Sequence, residues 1–248
     1  MMRKYFMKGM LTLLCLAFLA TPAMSANLFD HVSLAPNLKG DLLIYPLFMA
    51  GSGVETNFEV INTSNTDSVV AKVVVRSHHY SRELLDFLIY LTPNDVFKAT
   101  LKYDGGKYVL VSTDGSMCIN ACPDLTCASA AIPLEFELAD PCDGIVDSKD
   151  YGYIEVIESW SISTIDGRLP RLAKGTDGTI DKQDLCEAYA LFVDGEYEPR
   201  TVNVLTGFAE LVFPGADYAL YQPTVLKDYD NEWPLNVSRL TVLGENAN

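Results

Sequence analysis

The chain has 248 residues, 49% of them hydrophobic, and a formal net charge of −15 at pH 7. That length and apolar content supply one sizeable core, while the charge repels phosphate backbones and argues against nucleic acid as a partner. No later segment approaches the ~18 consecutive apolar residues of a transmembrane helix, so no membrane span is expected.

The N-terminus carries Arg3, Lys4 and Lys8 ahead of an apolar run, Met10 to Ala20, followed by Pro22 and the small-residue stretch Ala23-Met24-Ser25-Ala26. This is the layout of a secretory signal peptide, residues 1–26, with cleavage expected between Ala23 and Ala26. As a helix the run reaches only ~17 Å, short of a ~30 Å hydrocarbon core, so the mature chain is expected to be released. Loss of the three cations takes the net charge from −15 to −18. The bland reading of that charge is solubility; the sharper one is binding of divalent cations. Cys15 follows Thr12-Leu13-Leu14, without the small neighbour that lipid attachment needs, and no lipid anchor is expected.

From Asp41 to Phe97 the pattern is one of successive strands. Val69, Ala71, Val73 and Val75 form an apolar face against the mixed face of Val70, Lys72, Val74 and Arg76, the period of two that marks a strand. Leu85, Phe87, Ile89 and Leu91 repeat it against Leu84, Asp86, Leu88 and Tyr90. The polar hexad Asn62-Thr63-Ser64-Asn65-Thr66-Asp67 and the stretch Thr92-Pro93-Asn94-Asp95 are turns, because such side chains satisfy nearby backbone groups. Strand signals return at Tyr153–Trp160, at Thr201–Phe213 with Gly207 as a bulge candidate, and at Tyr218–Tyr221 and Val237–Val242. Short strands separated by frequent turns predict an all-β chain, an antiparallel β-sandwich, immunoglobulin-like or related. Residues 27–248 are read as a single sandwich domain with two long insertions, near 113–150 and 165–200. The alternative is two small β domains split near residue 150.

The first insertion holds Cys118, Cys122, Cys127 and Cys142; Cys186 lies in the second. In an exported chain these five are disulfide candidates, and their odd number leaves one thiol free or paired between chains. The C-x3-C-x4-C spacing also resembles a zinc site, a weaker reading in an oxidising compartment with no nearby histidine. In the second insertion, Leu185, Ala188, Tyr189 and Phe192 fall on one face of a helix over Asp181–Phe192, with Asp181 as N-cap.

An internal repeat links the insertions. Asp143, Asp147 and Asp150 match Asp177, Asp181 and Asp184 in the pattern D-G-x-[IV]-D-x-[KQ]-D. It resembles the second half of an EF-hand loop and the Asp-rich repeats of thrombospondin type 3, where carboxylate oxygens ligate Ca²⁺ and Gly permits the turn. The earlier ligand positions are Ala139 and Pro141, or Ala173 and Gly175, which offer no side-chain oxygen. Each loop alone is therefore expected to bind Ca²⁺ weakly at best, and two Asp-Gly turns explain the pattern equally well.

Catalytic signals are sparse. His31 lies near the mature N-terminus, and His78 and His79 end a strand beside Tyr80, Ser81 and Arg82; no G-x-S-x-G motif supports a Ser81–His79 pair. There is no phosphate loop, no H-E-x-x-H and no dinucleotide fingerprint. Tyr90, Tyr103, Tyr108, Tyr151, Tyr153, Trp160, Tyr218, Tyr221, Tyr229 and Trp233 include several on polar strand faces, suited to stacking on sugars or anchoring an interface as well as to ordinary cores and rims. Asn62-Thr63-Ser64 and Asn236-Val237-Ser238 are glycosylation sequons if the host glycosylates its exports.

Gly40-Asp41-Leu42-Leu43-Ile44-Tyr45-Pro46, Ile61-Asn62-Thr63-Ser64, Ser81-Arg82-Glu83-Leu84-Leu85-Asp86-Phe87, Leu91-Thr92-Pro93-Asn94-Asp95 and Leu205-Thr206-Gly207-Phe208 together resemble exported β-rich proteins of environmental Gram-negative bacteria, over roughly residues 40–230. The resemblance implies an extracellular or cell-surface β protein, the periplasm being the alternative, and carries no activity and no catalytic residue. Such proteins often continue past the equivalent of Asn248, which would make this chain a short or truncated member. The expected function is a secreted, non-enzymatic structural protein that self-associates into a surface layer, sheath or filament, or associates with other cell-surface components. A Ca²⁺-dependent module binding carbohydrate or protein is the second reading, and a hydrolase with a carboxylate site the third. No cofactor is expected beyond that Ca²⁺.

Overall fold

The computed structural model describes residues 32–119, 126–127, 130–134, 148–163, 174, 182–193, 202–215 and 217–229. Strand alternation becomes two antiparallel sheets. The first holds β1 (Ser33–Leu34), β2 (Leu42–Met49), β4 (Asp67–Ser77), β5 (Glu83–Leu91), β8 (Met117–Ile119), β9 (Thr126–Cys127), β11 (Tyr151–Ser163) and β14 (Thr224–Lys227). The second holds β3 (Glu55–Asn62), β6 (Val96–Asp104), β7 (Lys107–Ser112), β10 (Ala130–Pro133), β12 (Leu205–Val212) and β13 (Tyr218–Tyr221). The spatial orders are β1-β14-β2-β11-β4-β5-β8-β9 and β10-β7-β6-β3-β12-β13. The one helix among the described residues, α1 (Lys182–Val193), coincides with the helix expected from the 3.6-residue period. Its Leu185 is buried.

Residues beyond 150 lie inside both sheets, between strands from the first half of the chain in one and beside such a strand in the other. β11 sits between β2 and β4, and β12 pairs with β3. A split near residue 150 is thereby overturned. Nor is the first insertion only loop: β8 and β9 extend the edge of the first sheet, and β10 that of the second. The β6–β7 hairpin, β1 and β14 also lie outside the strands anticipated from alternation.

The faces turned toward each other form the core. Val69, Ala71, Val73 and Val75 meet Phe87, Ile89 and Leu91 of the paired strand, all fully buried. Rings cross the inter-sheet space in series: Tyr45 to Phe58 at 5.8 Å, Phe58 to Phe97 at 6.0 Å and Phe97 to Phe87 at 5.8 Å. Each such side chain contributes about 2–3 kcal/mol through burial.

Two expectations are corrected by packing. Gly207 is not a bulge, since the β3–β12 register runs unbroken from Leu205↔Asn62 to Val212↔Glu55. Its lack of a side chain makes room for Tyr45, whose hydroxyl donates to the Glu59 carbonyl at 2.6 Å; a Cβ at 207 would collide with both oxygens. Burial holds the Tyr45 hydroxyl well above its ordinary pKa. The mixed face of β4 and β5 is also buried at Val70, Val74, Leu88 and Tyr90. A register shift between Glu158 and Trp160 of β11 turns Trp160 onto that same outer face, opposite Val70, where it too is buried. Tyr90 and Trp160 are thus interior residues rather than surface platforms.

Candidate functional site

The two ends of the sandwich are built differently. At one end the turn residues are consumed in fastening. Asn62, fully buried at the end of β3, donates from Nδ2 to the carbonyls of Asp67 at 2.7 Å, Thr92 at 3.0 Å and Leu91 at 3.2 Å. Its Oδ1 accepts from the Ser64 N–H at 2.9 Å. One amide therefore ties its own β3–β4 turn to the β5–β6 turn, both of which cross between the two sheets. The Asp95 carboxylate closes that second turn, accepting from Thr92 N and Oγ1, both at 3.1 Å, and from Val96 N at 2.9 Å. Lys174, from the second insertion, contacts Asp95 and stands 3.7 Å from Asp114. Buried Asp41 accepts from Tyr229 N at 2.9 and 3.0 Å, and Glu158 accepts from Val202 N at 2.8 Å. These contacts occupy the Asn62 sequon with structural work.

The opposite end carries rings. His78 and Tyr151 stack at 3.8 Å with 22° between planes, and Tyr151 Oη lies 2.7 Å from His78 Nε2. His79 meets Tyr80 edge-on at 4.1 Å, and the Arg82 guanidinium lies 5.9 Å from the Tyr80 ring. Tyr80 and Ser81 both adopt left-handed backbone, φ 61° and 54°, a conformation that costs roughly 1–2 kcal/mol per non-glycine residue. Ser77 Oγ, bonded to the His79 carbonyl at 2.7 Å and to Arg82 N at 3.2 Å, holds the loop in that shape. Tyr103 and Tyr108 form a second ring pair at 4.9 Å on the β6–β7 hairpin. Ser81 makes no pair with His79 as a nucleophile and base would; its carbonyl accepts from Arg76 at 3.3 Å.

The third feature is the edge strand β13. It pairs with β12 on one side and has no strand on the other among the described residues. Tyr218 is 64% and Leu220 61% exposed, and Phe208 of β12 is exposed beside them. Phe208, Val212, Tyr218 and Leu220 share one face, because Glu210 pairs with Leu220 and Val212 with Tyr218. Pro46 lies in the half of β2 beyond its pairing with β14, whereas β13 carries neither proline nor charge. The β13 run was legible as a strand; its position at an edge was not, since edge or centre depends on partners distant in sequence.

The cysteines resolve in part. Cys118 and Cys127 face each other across β8 and β9 and form a disulfide, with Cα atoms 4.0 Å apart. That pairing replaces the zinc reading of their spacing. Cys186 is also disulfide-bonded; Cys122 and Cys142 lie outside the described residues. So do Asp143, Asp147, Asp177 and Asp181, together with the expected signal peptide, His31, Trp233 and the Val237–Val242 segment. Asp150 accepts from the Ser148 hydroxyl and Asp184 lies in the first turn of α1, where the helix dipole favours a carboxylate. Among the described residues no group of three or more His, Cys, Asp or Glu side chains is arranged to hold a metal, and no helix is long and apolar enough to cross a membrane.

Set against protein-family models, curated proteins and solved structures, the chain matches none.

Proposed function

We propose that this chain is an exported, non-enzymatic structural protein of the bacterial exterior whose copies associate through the β13 edge. The observation that carries the reading is an edge strand with apolar, exposed side chains and with neither proline nor charge in it. Its outward N–H and C=O groups offer a template for a strand of a second copy, and Tyr218, Leu220 and Phe208 supply apolar area beside it. The signal-peptide layout supports export. The net charge opposes association at low ionic strength, where the Debye length is about 30 Å, and much less at ~8 Å in physiological salt.

Light scattering across a salt series tests this. The wild type should show a molar mass above the monomer that grows with salt. Leu220→Lys should stay monomeric with an unchanged melting temperature, because a lysine on an edge blocks pairing without touching the core. A wild type that is monomeric at every salt concentration sinks the reading.

The aromatic end favours a second function, binding of carbohydrate, since exposed Tyr80, Tyr151 and His78 offer ring faces to sugar rings. A glycan array with and without EDTA tests both the binding and its dependence on Ca²⁺. Loss of any signal in Tyr80→Ala and Tyr151→Ala would place it at this end.

A further inference from the structure

On the buried outer face of the first sheet, the Lys72 ammonium is in direct contact with the Asp86 carboxylate. Their side chains are only 18% and 6% exposed. Lys72 lies on β4 opposite Leu88, and Asp86 on β5 opposite Val74, so the pair bridges two neighbouring strands diagonally. A third group joins them. Glu83 is three residues before Asp86, a spacing that puts it on the opposite face of a regular strand. The register shift at Val75/Arg76 reverses this: Glu83 pairs with Arg76, Asp86 pairs with Val74, and Arg76 and Val74 share a face. The bulge therefore places exposed Glu83 on the face of Asp86, where its negative charge opposes ionisation of the Asp86 carboxyl. Around them Val70, Val74, Leu88, Tyr90 and Trp160 are buried on the same face.

We propose that Lys72 and Asp86 condense into an intramolecular amide that cross-links β4 to β5, with Glu83 as the proton carrier. Proton transfer within the ion pair converts ammonium and carboxylate into amine and acid. The Nζ lone pair then attacks Cγ. The Nζ–Cγ bond forms, and one Cγ–Oδ bond breaks as the tetrahedral centre collapses. Glu83 accepts the proton shed by nitrogen and returns one to the departing hydroxyl, which leaves as water. No oxidant, reductant or cofactor enters the balance. Two buried charges become one neutral amide, which removes the desolvation cost that a buried ion pair carries.

The Lys174–Asp95 pair shows why the assignment falls on Lys72. Asp95 accepts three further hydrogen bonds, from Thr92 N, Thr92 Oγ1 and Val96 N, which favour its ionised form. Among the described residues Asp86 accepts no comparable backbone hydrogen bond, and Lys72 is its ion-pair partner. Burial, opposed by Lys72 and reinforced by Glu83, raises its pKa to about 6, so the acid form that nucleophilic attack requires is accessible near neutrality.

Mass spectrometry of the secreted full-length chain, reduced to open its disulfides, is the test. The wild type should be lighter than its mature sequence by the mass of one water. Tryptic digestion should fail after Lys72 and yield one branched peptide joining the Lys72 and Asp86 segments. Lys72→Arg and Asp86→Ala should regain the full mass, and folded Glu83→Gln should retain it long after the wild type has closed. A wild type of full mass that is cleaved after Lys72 overturns the proposal, whether or not the variants fold. So does a branched peptide that maps to Lys174 and Asp95.

Discussion

The two ends of the sandwich use similar residues to opposite effect. At the Asn62 end, Asn, Ser, Thr and Asp side chains turn inward and are spent on backbone groups of neighbouring turns. At the His78 end, the β4–β5 loop holds Tyr80 and Ser81 in left-handed backbone and leaves the His78 and Tyr80 rings exposed. The difference shows what a polar turn does once both of its neighbours are fixed. Where two turns that cross between the sheets meet, one side chain can serve both, and it becomes interior. Where a hairpin projects beyond the sheet, its own strands and the neighbouring Tyr151 hold it, and its outer side chains stay exposed.

That contrast is broken most severely by Asn62→Ala. It leaves the buried carbonyl of Leu91, the half-buried carbonyls of Asp67 and Thr92, and the buried Ser64 N–H without this partner. At about 1–3 kcal/mol per unsatisfied buried group, and with partial relaxation, denaturant unfolding should show a loss of roughly 3 kcal/mol or more. A loss under about 1 kcal/mol would mean that the amide does not join the turns.

Gly207→Ala sharpens the same end two residues further along β12. The new Cβ meets the Tyr45 hydroxyl and the Glu59 carbonyl, an overpacking expected to cost about 1–3 kcal/mol. Adding Tyr45→Phe should recover part of that loss, because one of the two clashing oxygens is gone. Equal stability of the single and double variants would place the clash wholly on the backbone.

The smallest effect belongs to the His78 end. Ser81→Gly relieves a left-handed φ of 54° and should raise stability by up to about 1 kcal/mol, offset in part by the greater freedom of glycine when unfolded. Thermal unfolding that instead falls by as much as in Asn62→Ala would erase the distinction between the ends.

Much of this architecture was legible as pattern. The alternation at Val69–Val75 and Leu85–Leu91 identified β4 and β5 and their core-facing residues. Asn62–Asp67 and Thr92–Asp95 were readable as turns, and the helix after Asp181 as a helix. Disulfide chemistry followed from the signal-peptide layout and cysteine number, although the pairing of Cys118 with Cys127 required both strands in place. The helical and strand periods are visible because they arise from local backbone geometry and from which side chains avoid water.

What only the tertiary structure decided depends on neighbours far away in the chain. Val70, Leu88 and Tyr90 look half-exposed in sequence, yet their face is interior. Gly207 looks like a flaw in a strand until Tyr45, more than a hundred residues earlier, is seen to need its space. Glu83 and Asp86 belong to opposite faces by count and to one face by register. Tyr218–Tyr221 reads as any short strand, and only the sheet order makes it an edge. Sequence alone determined which segments alternate and where the chain turns, since those follow from bonds and solvation within a few residues. The register shift beside Glu83, the covering of the outer face and the exposed edge come from contacts between distant segments, whose energies no local pattern contains.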